Sequence, residues 1–97
     1  MFDKIRATIR KIPKAKVSTY GAVAKAAGFP GAARQVVWAL QGTDGKLPWH
    51  RVLGAGGKIL LPAGRGAEQR LRLQSEGVAF RGDKVRLDLH EFKFKSK

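Results

Sequence analysis

The tripeptide Phe29-Pro30-Gly31 lies between two runs with helical spacing, and it restricts the fold more than any other segment. Proline fixes φ and has no amide donor, while glycine reaches backbone angles closed to other residues, so together they predict a turn. Before it, VSTYGAVAKAAG offers Ser18 or Thr19 as a helix cap and Val23, Ala24 and Ala27 as an inner stripe. Gly28 suits a left-handed C-terminal position. After the turn, a second helix is predicted from about Ala32 to Gln41, with Ala33, Val36, Val37 and Leu40 inward and Gly42 at its end. Two short helices joined this tightly, the second with an outward arginine, match a helix-turn-helix. The pattern alone fits a DNA reader and a plain helical hairpin equally well.

Upstream, Phe2, Ile5, Ile9 and Ile12 line one face of an N-terminal helix, with Asp3 in its first turn and Pro13 at its end. Lys4, Arg6, Arg10 and Lys11 fall mostly on the outer surface. Downstream, a polar turn QGTDGK leads into KLPWHRVL and then Ala55-Gly56-Gly57. Residues 58–61 read as a short strand, 62–66 as a flexible loop, and Ala67 to Glu76 as a helix stopped by Gly77. Leu71 and Leu73 do not share a face of that helix, so its stripe is poorly defined. Val85, Leu87 and Leu89 alternate as in a strand. The whole, residues 1–97, reads as a single mainly helical α+β domain. Its ordered core is expected over 1–92, with 93–97 a basic tail, frayed and open to phosphate contacts.

Charge narrows the partner. Twenty Lys and Arg against seven Asp and Glu give +13, a field that attracts polyanions, with DNA or RNA foremost. The basic residues run along the whole chain, whereas a membrane-surface binder concentrates them on one amphipathic helix. No apolar run approaches the roughly 18 residues that cross a bilayer. The first twelve residues interrupt their apolar pattern with charges, unlike a signal peptide, so an intracellular protein is expected. Two histidines forty residues apart and no cysteine make a weak metal site, and GAGGK lacks the spacing of a nucleotide fingerprint. Ser18 and Ser75 have no local base, so no metal, cofactor or nucleophile motif stands out.

Three segments in order are more specific. VSTYGAVAKAAGFPGAARQV, then PWHRVL, then a helix ending in SEG resemble the DNA-binding domain of O6-alkylguanine-DNA alkyltransferases. That family's central motif is Pro-Cys-His-Arg-Val, whose cysteine takes the alkyl group from guanine O6. Here Trp49 stands at the cysteine position, the mark of the alkyltransferase-like proteins, which this chain resembles through about Phe80. The separate N-terminal domain of many alkyltransferases has no counterpart in these residues. Alkyl transfer needs a polarizable thiolate, and an indole is a poor substitute at neutral pH. The resemblance therefore implies damage recognition in duplex DNA without enzymatic transfer, and with no cofactor.

The same resemblance implies a winged-helix-like domain whose second helix enters the minor groove. Tyr20 would push at the target phosphate, and Arg34 would fill the space left by the flipped nucleotide. Gly31, Ala32 and Ala33 would let the backbone approach the groove, and Gln35 would add a polar contact. Trp49, following Pro48, would bound a lesion pocket, either gripping the alkyl group or closing the pocket behind it. His50, Arg51 and Glu76 match residues that activate the cysteine through water; without a thiol, a buried supporting network is the expected remainder. His50 donating to the guanine edge is the other role considered.

The chain departs from the family at Trp38, where a small residue is usual; packing on the first helix is favoured over a DNA-backbone contact. The hinge asparagine is not evident in 42–45, and the far pocket loop reads LPAGRG in place of a Tyr-Ser-Gly-Gly pattern. That suggests a roomier, more apolar pocket. The expected partners are double-stranded DNA carrying O6-alkylguanine and nucleotide excision repair proteins, the protein acting as a monomer in the cytoplasm or nucleoid, or in the nucleus of a eukaryote. The rivals are a helix-turn-helix transcriptional regulator of undamaged DNA and a basic RNA-associated protein.

Overall fold

A computed structural model describes residues 1–41 and 47–94. Helix α1 (Phe2–Arg10) buries Ile5 and Ile9 completely, and Ile12 follows them into the core just past its end. Thr8 is buried on the same helix, its hydroxyl donating back to Lys4 O at 2.8 Å. The short strand β1 (Ser18–Thr19) leads directly into α2 (Tyr20–Ala26), and Thr19 Oγ1 caps that helix by accepting from Ala22 N. The predicted turn follows, with Gly28 at φ 95° and Gly31 at φ 86°. Helix α3 (Ala33–Gln41) buries Val36 and Ala39, while Ala33, Val37 and Leu40 are partly buried against the same core. Arg6 of α1 donates through Nε to Ala39 O, tying α1 to the last turn of α3.

Beyond 42–46, which with 95–97 lie outside the described residues, Trp49–Arg51 form a 3₁₀ turn that runs into β2 (Val52–Leu53). The sequence expectations for Gly42 and the loop without a hinge asparagine fall in that segment. β2 pairs in parallel with β1, Ser18 opposite Val52 and Thr19 opposite Leu53. Successive strand residues face opposite sides. Val52 accordingly joins the core of α1, α2 and α3, whereas Leu53 joins a second core with Val17, Leu73, Val78 and Val85. This two-residue pair thus fastens two cores together.

The second core lies under α4 (Ala63–Ser75) and the antiparallel hairpin β3 (Phe80–Arg81) and β4 (Lys84–Val85), with α5 (Leu87–His90) after it. Helix, strand pair and hairpin together make the mainly helical α+β architecture that the sequence predicts. Three local expectations are corrected. Residues 58–61 contribute a single bridge, Lys58 to Lys84, in place of a strand. The loop over 62–66 is largely the first turn of α4. The alternation at 85–89 is one strand residue followed by a helical turn, which leaves Leu89 51% exposed.

The chain then returns to the start. Phe92 N donates to Val17 O at 2.7 Å, and Phe92 and Phe94 meet edge to face while packing on the first core. His90 fastens this return by its two ring nitrogens: Nδ1 lies 3.0 Å from Ala15 O, and Nε2 accepts from Ala79 N at 2.9 Å. Among the described residues no helix is long and apolar enough to cross a membrane.

Candidate DNA-binding site

The 3₁₀ turn at 49–51 presents successive side chains to different surroundings. Trp49 is partly exposed, and with Tyr20 it lines a cavity of about 260 Å³. Val37, Leu40 and Gln41 of α3 form one wall, and Leu61, Pro62 and Arg65 form another. The LPAGRG segment supplies the second wall, as its sequence suggests, whereas nothing in the sequence marks the α3 wall. Helical spacing places Val37 and Leu40 on the inward face, where each is only partly covered.

Two guanidinium groups flank the indole. Arg65 Cζ lies 5.0 Å and Arg72 Cζ 5.6 Å from the Trp49 ring, within the range of cation–π attraction. Both arginines come from α4, and Arg72 is oriented by a salt bridge to Glu68 one turn earlier at 2.7 Å. Tyr20 opens α2 and is largely buried, which pushes its phenol pKa up and keeps the hydroxyl protonated at neutral pH. That hydroxyl makes no hydrogen bond among the described residues.

Behind Trp49, His50, Arg51 and Glu76 form a hydrogen-bonded cluster. His50 Nε2 lies 2.8 Å from Glu76 Oε2. Arg51 donates to both oxygens of the same carboxylate, Nη2 at 2.7 Å and Nε at 3.1 Å, and its Nη1 donates to Ile12 O at 2.9 Å. Ala15 N completes the set by donating to Glu76 Oε1. Burial alone would raise the Glu76 pKa, but the bonds from Arg51, His50 and Ala15 override it and hold the carboxyl at about 2. Glu76 is therefore ionised at neutral pH, and His50 must supply the proton in their hydrogen bond. Gln69 adds a further support that its sequence position does not signal. Fully buried on α4, it donates through Nε2 to His50 O and Val52 O, pinning the turn from below. A polar residue in a helix carries no mark of such a role until the partner carbonyls are placed beside it.

The six predicted pocket residues thus separate. Tyr20 and Trp49 line the cavity, His50, Arg51 and Glu76 form the support, and Pro48 precedes the turn, half-buried. Of the predicted groove contacts, Arg34 is exposed in the first turn of α3, with no hydrogen bond or ion pair among the described residues. Gly31 is exposed, Gln35 and Ala33 are half-buried, and Ala32 is buried in the core, so it offers backbone more than side chain. Trp38 corrects the packing expectation, since it leaves 49% of its surface in solvent. No group of three or more metal-ligating side chains occurs among the described residues.

Residues 1–78 match the family described as 6-O-methylguanine DNA methyltransferase, DNA binding domain. A DNA base-flipping protein of Vibrio parahaemolyticus is 48% identical over 77 residues, 77% of each chain. Alkyltransferase-like protein 1 of Schizosaccharomyces pombe is 40% identical over 81 residues, covering 79% of this chain and 75% of the relative. In structure, the chain is similar to S. pombe Atl1 in complex with damaged DNA containing O6-carboxymethylguanine. The TM-score is 0.84 at 33% identity, over 95% of this chain and 94% of that one.

Proposed function

Because this chain belongs to the family of 6-O-methylguanine DNA methyltransferase DNA-binding domains, and within it to the alkyltransferase-like proteins, we propose that it recognises O6-alkylguanine in duplex DNA without removing the alkyl group. The observation that carries this reading is the cavity between Tyr20 and Trp49, with Trp49 at the motif position where the family places its thiol. The chain contains no cysteine, so it offers no thiolate to accept the alkyl group.

In this reading α3 approaches the minor groove. Gly31 and the backbone of Ala32 and Ala33 admit the duplex, and Gln35 supplies a polar contact. Extrusion of the nucleotide costs a few kcal/mol. Tyr20 presses on its phosphate, and the free guanidinium of Arg34 stacks in the gap and bonds the orphaned base. The extruded base then meets the Trp49 indole, a contact worth roughly 1–3 kcal/mol. His50, Arg51 and Glu76 act on the base only by holding Trp49 in place. Aliphatic walls from Val37, Leu40 and Leu61 favour tolerance of bulky alkyl groups. The lasting complex then marks the lesion for nucleotide excision repair in whichever compartment holds the DNA, the protein acting as a monomer.

Binding to matched duplexes bearing guanine, O6-methylguanine or O6-benzylguanine, at fixed salt, tests the reading. Salt must be stated because the +13 charge gives a strong non-specific background. At least a tenfold preference for both lesions is expected, lost in Arg34→Ala and Tyr20→Ala while background binding persists. Equal affinities for guanine and both lesions would remove the reading. Tight dimeric binding to one undamaged sequence would replace it with a transcriptional regulator.

A further inference from the structure

Arg34, Trp38 and Gln41 recur at spacings of four and three along α3, so they share one face, and all three are exposed. The Trp38 indole has no aromatic, cationic or hydrogen-bonding partner among the described residues. A single exposed aromatic is ordinary on protein surfaces. Its place is informative here. With a helical rise of about 1.5 Å per residue, Trp38 lies roughly 6 Å along the axis from Arg34 and about 4.5 Å from Gln41. Gln41 already belongs to the cavity wall, and Val37, next to Trp38, does too. Trp38 is therefore stationed between the residue that fills the gap in the stack and the cavity that receives the base.

A flipped nucleotide stays covalently joined to its strand, so that strand must pass from the gap to the cavity across this face. We propose that Trp38 is a lesion-strand contact: its ring packs on deoxyribose C–H groups, and its Nε1–H donates to a phosphate oxygen beside the flipped nucleotide. The indole suits both surfaces, with an apolar face and one donor and no acceptor. The +13 charge argues for a polyanion here and against a second copy of the same chain. The assignment rests on the flipping reading above, from which its test is separable.

The experiment measures wild type, Trp38→Ala and Trp38→Phe on guanine and O6-methylguanine duplexes across a salt series, with a thermal melt of each variant. Trp38→Ala is expected to weaken lesion binding roughly tenfold, as loss of a hydrogen bond to a charged group does, and to change guanine-duplex binding less than threefold. Trp38→Phe should recover only part of the loss, because it keeps the apolar face but not the donor to phosphate. The dependence of affinity on salt should be unaltered, since no charge is removed. Melting temperatures near wild type will show that folding is intact, as a half-exposed side chain allows. Wild-type preference for the lesion with unchanged affinity in Trp38→Ala would overturn this assignment alone. Equal wild-type affinities would remove the flipping reading and the assignment with it. A concentration-dependent dimer that Trp38→Ala abolishes would also overturn it, giving the face to a second copy.

Discussion

Trp49 and His50 are consecutive residues of one 3₁₀ turn, yet they work in opposite settings. Trp49 faces a cavity and is flanked by two solvent-exposed guanidinium groups through cation–π contacts. His50 is buried and shares a carboxylate with Arg51 and the Ala15 amide. Contacts on the first side can be exchanged singly. On the second side every group depends on the others, because an unpartnered buried charge is expensive. A nucleophile could therefore give way to an indole at the front while the frame behind it stayed intact.

The sharpest way to break this contrast is Glu76→Ala, which strands Arg51, His50 and the Ala15 amide together. A loss of about 3–5 kcal/mol in urea unfolding is expected, against a smaller one for Glu76→Gln, which keeps an acceptor. Next comes Trp49→Ala, expected to lower lesion affinity tenfold or more with at most about 1.5 kcal/mol of stability lost, the reverse balance. Acid titration gives a third comparison. Glu76 has a folded pKa of about 2, below its ordinary 4.5, so its contribution is complete above pH 4.5 and is lost as pH falls toward 2. Glu76→Gln should flatten that limb of the stability curve, whereas Trp49→Ala should leave it in place.

The smallest effect belongs to Ala15, which joins Glu76 through its amide and His90 through its carbonyl while holding φ at 69°. Left-handed backbone costs a residue with Cβ about 1–2 kcal/mol, and glycine gives back up to about 1 kcal/mol in unfolded-chain entropy. Ala15→Gly should therefore raise the melting temperature slightly.

The sequence made some of this visible and concealed the rest for physical reasons. The isoleucine stripe of α1 and the two helices about Phe29-Pro30-Gly31 were legible because helical periodicity repeats over several turns. Pairing of Ser18-Thr19 with Val52-Leu53 was not, since two residues are too few to show alternation. The start of α4 was hidden by its glycines, which locally favour a loop. Gly66 is there because a Cβ would come within 2.9 Å of Leu61 O, a packing demand that appears only in three dimensions. Around the cavity, the motif makes Trp49, His50 and Arg51 legible, and the family resemblance points to Tyr20 and Glu76. The cavity wall of Val37, Leu40 and Gln41 stayed hidden because a side chain can serve a core and a pocket at once.

The central claim is that Trp49 makes a recognition site of what the motif would otherwise make a reaction site. It is tested most directly by a duplex carrying O6-methylguanine with a radiolabelled methyl group, incubated with the protein to saturation and then separated from it. The account predicts binding at least tenfold tighter than to the guanine duplex, all label recovered on DNA, and an unchanged protein mass. Label on the protein, or equal binding to the two duplexes, would contradict it.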